Sequence, residues 1–249
     1  MGHVVHDCIQ NSPAWHRLRL GIPTASCFDK IVTPAKCELS KSSANYIYEL
    51  LAEFVMGRPI TGIETDVMAR GTLMEEPAAK AFTFQTDIEV ERIGFVTTED
   101  LMLGASPDRK VVGTNWIVEI KAPASEAVHM RYLMGGEMVL DYRTQLQGQL
   151  MVGEYDGVYA VSYHPELPLS VTPVERDEPY IAKLREATEA FVDVLRMKRA
   201  EVEERFGPFV WRTAEAELDD AGDLGVSDAD VDMIWEHQEA QRAEAHRGQ

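Results

Sequence analysis

Long apolar runs are missing from this 249-residue chain. No stretch approaches the roughly 20 residues that a membrane-spanning helix needs, so a membrane-embedded role is not expected. A secretory leader is not expected either, because His3, His6, Asp7 and Pro13 interrupt the N-terminus. Met1-Gly2 is followed by His6 where the myristoylation pattern needs Ser or Thr. Cysteine is scarce: Cys8, Cys27 and Cys37 are odd in number and form no C-x-x-C pair. They read as free thiols in a reducing cytoplasm. Positive charge is the deepest shortage, with 24 Lys and Arg against 42 Asp and Glu and a net charge of −18. A broad basic face that coats nucleic acid is thereby excluded, and any nucleic-acid site must be a local basic lining.

Much of the acid lies at one end. Residues 201–249 hold 14 acidic and 4 basic side chains, leaving 28 and 20 in residues 1–200. The apolar share of 45% and charged share of 27% suit one α/β domain of generous size followed by a tail. No internal repeat is present.

The stretch Gly104–Pro123, GASPDRKVVGTNWIVEIKAP, carries the densest chemistry. It reads as two strands joined by the polar turn Gly113-Thr114-Asn115. Side chains alternate along a strand, so Glu119 and Lys121 share one face while Val118 and Ile120 share the other. A hairpin brings Asp108 beside them. Two carboxylates and an ammonium on one patch suit a hard divalent cation, with the lysine beside a metal-bound water. This is the Asp…Glu-X-Lys pattern of the PD-(D/E)XK nucleases. A Glu-X-Lys on a solvated strand looks the same, but here apolar Trp116, Ile117, Val118 and Ile120 surround it. Charges at the end of a buried strand need partners or a task.

Upstream, Arg17 and Arg19 alternate with Leu18 and Leu20, and Thr24-Ala25-Ser26 reads as a hydroxyl-capped helix start. Arginines beside free helix N–H groups make a phosphate seat; the same residues also describe an ordinary capped surface helix. Helical periodicity predicts helices over 41–56, about 65–84, 125–133, 142–151 and 178–204. Strands are expected at 88–96, 101–103 and 157–163. Glu75 and Glu76 sit inside the second helix, where one of them faces either a metal or solvent. Gln145, Gln147 and Gln149 line the fourth helix, where glutamine can hold a water or simply favour the helix. After Arg212 the composition changes: 213–225 reads as an acidic linker. A short helix capped at Ser227 then carries Val231, Ile234 and Trp235 as one narrow apolar strip, expected to bury against the parent domain, a neighbouring subunit or a partner protein; the alternative is a disordered tail.

Taken together, these segments resemble the lambda-exonuclease-type, YqaJ viral recombinase family of PD-(D/E)XK nucleases. The resemblance runs from Trp15 to about Arg212. It rests on Trp15–Gly21 with Thr24-Ala25-Ser26, Gly71 with Glu75, Ser106-Pro107-Asp108, Glu119-Ile120-Lys121 with Pro123, and Gln145-Leu146-Gln147. It implies an α/β nuclease core, a central mixed β-sheet flanked by helices, over 1–212, with the linker and short helix of 213–249 outside it. It implies a Mg²⁺-dependent enzyme, Mn²⁺ serving as substitute, that digests one strand of linear duplex DNA from 5′-phosphorylated ends. It further implies a homotrimeric ring in the cytoplasm of a bacterial host, leaving 3′ tails for a single-strand annealing protein. Asp108, Glu119 and the Ile120 carbonyl are the implied metal ligands. Lys121 acts on the attacking water with help from Gln147, and Glu75 touches a metal-bound water or second metal. Arg19, Ser26 and Ser106 hold the 5′-phosphate. A basic residue of the family shortly after the core lysine falls at Ala127, so the phosphate pocket either borrows Arg131 or His129 or is weaker. A ring would also reconcile DNA with the acidic charge, by gathering three modest basic linings in one channel. The competing readings are an internal endonuclease of the same fold and an inactive scaffold that binds DNA ends.

Overall fold

The protein's structure is a computed structural model that describes residues 2–60 and 66–209, with backbone alone for 66–69. The acidic linker and the helix expected from Ser227 lie outside the described residues.

The chain opens with strand β1 (His3–His6) and helix α1 (Pro13–Arg19). Ser12 caps α1 by accepting from Trp15 N, and Pro13 occupies the first turn, where its missing N–H costs nothing. Next comes a 3-10 helix, Ala25–Lys30, where an α-helical start was expected. Thr24 precedes it in extended conformation and makes no capping bond, because its hydroxyl pairs with Ser26 Oγ at 3.2 Å. Helix α2 (Ser43–Met56) ends at Gly57, whose φ of 65° is the left-handed conformation that glycine adopts freely. Helix α3 (Asp66–Thr86) follows.

The strand expected over 88–96 divides into β2 (Val90–Glu91) and β3 (Phe95–Thr98), which enter different sheets. The break falls beside Gly94, where a Cβ would collide with the His6 carbonyl. The strand expected at 101–103 is a turn; β4 is Gly104–Ala105. The hairpin proper is β5 (Arg109–Val111) and β6 (Trp116–Lys121), paired Arg109 to Val118 and Lys110 to Ile117. Then come α4 (Glu126–Gly135), α5 (Met138–Asp141), α6 (Arg143–Val152), β7 (Gly157–Ser162), β8 (Ser170–Glu175) and α7 (Glu178–Phe206).

Two sheets result. One has the order β1-β3-β4, and the other is mixed, β2-β5-β6-β7-β8, with only β6 and β7 parallel. This is the α/β architecture expected, a mixed sheet flanked by helices. Strand β6 is central, so both faces are covered. Ile117 joins the larger core with Phe28, Leu146, Leu150 and Leu184. Val118 and Ile120 join a smaller core with Ala78, Ala79 and Phe82 of α3. No described helix is long and apolar enough to cross a membrane.

Candidate active site

The alternation of β6 sends Glu119 and Lys121 to the α6 side, where Glu119 is 2% exposed. A carboxylate this deep must be hydrogen-bonded to remain. It has three donors: Lys121 Nζ reaches Oε1 at 2.7 Å, Gln145 Nε2 reaches the same oxygen at 2.6 Å, and Gln149 Nε2 reaches Oε2 at 2.6 Å. Gln145 and Gln149 are one helical turn apart and share a face of α6.

Gln147 points elsewhere, which corrects the expectation that it attends the lysine. A helix rotates about 100° per residue, so the position midway between Gln145 and Gln149 faces away from the carboxylate. Gln147 donates to the Glu175 carbonyl at 3.0 Å and accepts from Asp177 N at 2.9 Å, tying α6 to the junction of β8 and α7.

Asp108 precedes β5 and turns back onto β6, where Oδ2 accepts from Ile120 N at 2.6 Å. N–H and C=O of one strand residue leave on the same side. The Ile120 carbonyl therefore also faces the Asp108 side, beyond the end of β5. Arg109 is only 6% exposed. Its guanidinium donates to the Asp108 carbonyl at 2.6 Å and to Glu76 Oε2 at 3.1 Å, and lies 3.9 Å from Glu75 Oε2. Sequence reading took no notice of this arginine, since a basic strand residue looks solvated. It ties α3 to the hairpin and brings Glu75 toward Asp108. Glu75, Thr72, Gln10, Asn11 and Asp108 line a cavity of about 260 Å³.

The charges strain against one another. Burial, and then the Glu119 charge, push Asp108 well above the usual carboxylate range. Burial also raises Glu75, against the pull of Arg109. Burial alone would lower Lys121, but Glu119 and Asp108 outweigh it and hold the ammonium charged. Lys121 Nζ also lies 4.7 Å from the Tyr142 ring centroid, a cation–π distance.

Among the described residues no group of three or more His, Cys, Asp or Glu gathers as a ready metal cage. Mg²⁺ does not need one: it takes one or two protein carboxylates and completes its shell with water and phosphate. Asp108 and Glu119, two mutually repelling carboxylates beside a backbone carbonyl, form an all-oxygen donor set that fits such an ion.

A second cluster adjoins β4. Arg19 stacks on the Trp15 ring at 4.2 Å, and the Trp15 indole N–H donates to Ser106 Oγ at 2.9 Å. Gln10 Nε2 donates to the same hydroxyl at 3.0 Å. Thr24 bridges to Gly104, which brings the start of the 3-10 helix, with exposed Ser26, to this strand. Among the described residues no carboxylate forms an ion pair with the Arg19 guanidinium.

Neither expected substitute for the basic residue at Ala127 is free. His129 is fully buried, bonded to Ser162 Oγ at 2.8 Å and the Pro168 carbonyl at 2.9 Å. Arg131 is paired with Glu137 at 3.2 Å and Asp141 at 2.7 Å. The structure offers another cation: Arg70 of α3 donates to the Ala122 carbonyl, just past Lys121, at 2.7 Å. Nothing in the sequence marks Arg70, because the pairing crosses from helix to strand end.

The sequence profile of the YqaJ-like viral recombinase domain matches residues 14–156. Among solved structures, an alkaline exonuclease from Laribacter hongkongensis superposes with a TM-score of 0.69 at 28% identity, covering 78% of this chain and 97% of that one. The same exonuclease solved in complex with dAMP matches equally well. A phage-related exonuclease from Haemophilus somnus has the same fold, with a TM-score of 0.58 at 15% identity over 73% of this chain and 96% of that one. No curated protein matches.

Proposed function

From the premise that this chain belongs to the YqaJ-like viral recombinase domain family, we propose that it is a phage-type exonuclease. Its substrate is linear duplex DNA, cut from 5′-phosphorylated ends to leave 3′ single-stranded tails for an annealing protein. The observation that carries the reading is the hairpin end, where Asp108 grips Ile120 N while Lys121 grips the buried Glu119. Buried charges that destabilise one another, beside a cavity, are the signature of a working site.

Asp108, Glu119 and the Ile120 carbonyl would hold Mg²⁺, or Mn²⁺ in its place, with Glu75 close to its water shell. The ion supplies charge neutralisation at the scissile phosphate and a more acidic water. Gln149 fixes one oxygen of Glu119 and leaves the other to Gln145 and Lys121. Lys121, kept protonated by its neighbours, orients the nucleophile and stabilises charge as it builds on the phosphate. Arg19 offers a half-buried cation, held flat by Trp15, to the terminal phosphate, with Ser26 and Ser106 as hydroxyl partners. An end-reading seat of this kind favours an exonuclease over an internal endonuclease. We extend the family resemblance to a homotrimeric ring around the duplex.

Asp108→Ala and Glu119→Ala are expected to abolish Mg²⁺-dependent digestion of linear duplex while retaining DNA binding. Digestion retained by either purified variant would overturn the assignment, and equal cutting of covalently closed DNA would replace exonuclease with endonuclease.

A further inference from the structure

A second cavity, of about 460 Å³, lies between the C-terminal half of α3 and the β2–β5 edge of the mixed sheet. That is within the roughly 300–1,000 Å³ range of small-molecule sites. Glu76, Lys80, Thr83 and Phe84 line it from α3; they recur at helical spacing on one face. Val90 of β2 and Arg92 just after it line it from the other side. It adjoins the cavity of Asp108 and Glu75, and the two share Glu76, Arg92 and Arg109.

Two features of this groove bear on what it can hold. Phe84 is 93% exposed, although it belongs to a helix whose Ala78, Ala79 and Phe82 are buried. It sets an open aromatic face at the rim of the cleft. The electrostatics is the reverse of the molecule's net charge of −18. Glu76 is the acidic side chain of this lining, and three cations converge on it: Arg109 at 3.1 Å, Arg92 at 3.3 Å and Lys80 at 3.8 Å. The lining therefore keeps an excess of positive charge, with Arg92 and Lys80 both largely exposed.

An exposed aromatic face beside a lining with more cations than carboxylates is the recognition chemistry of an unpaired nucleotide: the base stacks and the phosphate meets the cations. We propose that this groove binds one unpaired deoxynucleotide, its phosphate between Lys80 and Arg92 and its base on Phe84. The assignment deepens the nuclease reading. A cleft that starts where the carboxylate cavity ends can receive the released nucleoside 5′-monophosphate. It can equally hold the unpaired terminal nucleotide of a strand, which presents the same chemistry.

The probe is 2-aminopurine deoxyribonucleoside 5′-monophosphate, titrated against the full chain in metal-free buffer. The wild type is expected to bind it saturably. The same titration of Arg19→Ala measures what the terminal-phosphate seat contributes. Arg92→Gln is expected to weaken binding about tenfold, as loss of a charge-assisted contact does. Phe84→Ala is expected to weaken it similarly and to change the fluorescence of the bound base. A single strand ending in 2-aminopurine separates the two sources: tighter binding than the monomer assigns the groove to a strand end, and equal binding assigns it to the product. Thermal midpoints confirm that both variants are folded. Absence of binding by the wild type, or wild-type affinity in both variants, would overturn the proposal. So would a changed sedimentation coefficient of Phe84→Ala with nucleotide affinity unchanged, since Phe84 would then cover a subunit contact. Digestion of linear duplex is read separately: a wild type that binds but does not digest refutes the nuclease reading and leaves the groove standing.

Discussion

The three glutamines of α6 give the sharpest contrast between neighbouring residues. Gln149 is 1% exposed and donates to Glu119 Oε2; Gln147 is 3% exposed and bonds only the backbone of Glu175 and Asp177. Leucine at either position keeps the volume and removes the polar end. In Gln149→Leu the lost bond is to a charged group, worth about 1.5–3 kcal/mol, or roughly 10–150-fold in rate if Glu119 leaves its working position. Gln147→Leu loses two neutral, part-buried bonds to the backbone of Glu175 and Asp177. That is about 1–3 kcal/mol of stability, or roughly 2–12 °C in thermal midpoint for a domain of this size. The assay is kcat on 5′-phosphorylated linear duplex at 25 °C, beside a melting curve for each variant. Gln149→Leu should lose rate with little change in kcat per folded molecule for Gln147→Leu, which should instead melt early. The reverse pattern, a normal midpoint and a hundredfold slower Gln147→Leu with Gln149→Leu near wild type, would refute the geometry of α6 described above.

Three further outcomes are expected. Arg19→Ala should reduce the preference for 5′-phosphate over 5′-hydroxyl ends by about 10–150-fold, the worth of a charge-assisted contact; an unchanged ratio of the two rates places the phosphate seat elsewhere. Lys121→Ala should slow cleavage by roughly 10²–10³-fold, the worth of one electrostatic donor, and Lys121→Arg should not restore it, because the guanidinium is bulkier and planar; near-normal activity of the Arg variant would reduce the lysine to a generic cation. Asp108→Asn should be inactive yet more heat-stable than wild type in metal-free buffer. Its folded pKa is raised, so ionisation costs the fold nothing below the unfolded value near 3.8 and progressively more as pH rises toward the folded value. The stability gap should accordingly widen from about pH 4 upward, and a gap that narrows with rising pH contradicts the burial and repulsion assigned to this carboxyl.

The hairpin chemistry was legible in the sequence because a strand has one period and a short turn. Once Trp116–Lys121 is a strand, Glu119 and Lys121 must share a face, and Asp108 must come back beside Ile120. The faces of α6 were not legible. The helix itself is found readily, but it is buried on every side, and which glutamines meet Glu119 depends on how it lies across β6, a long-range fact. Arg109 and Arg70 were missed for the same reason, since their partners lie on other elements: Glu75 and Glu76 for one, the Ala122 carbonyl for the other. Strands β1 and β8 escaped notice because β1 is short and mostly exposed and β8 carries Pro173 at an edge of the sheet. His129 shows the opposite error. Near a site, a histidine reads as chemistry, but this one is sealed between Ser162 and Pro168.

The most direct test of the function is digestion of a linear duplex carrying one label at a 5′-phosphorylated end and a different label at the 3′ end of the same strand. With Mg²⁺ the 5′ label should be released first, as a small product, while the 3′ label stays in long DNA. Chelation, Asp108→Ala and Glu119→Ala should each abolish release. Early release of the 3′ label, release without a divalent ion, or internal cleavage that separates the labels on long fragments would contradict the account.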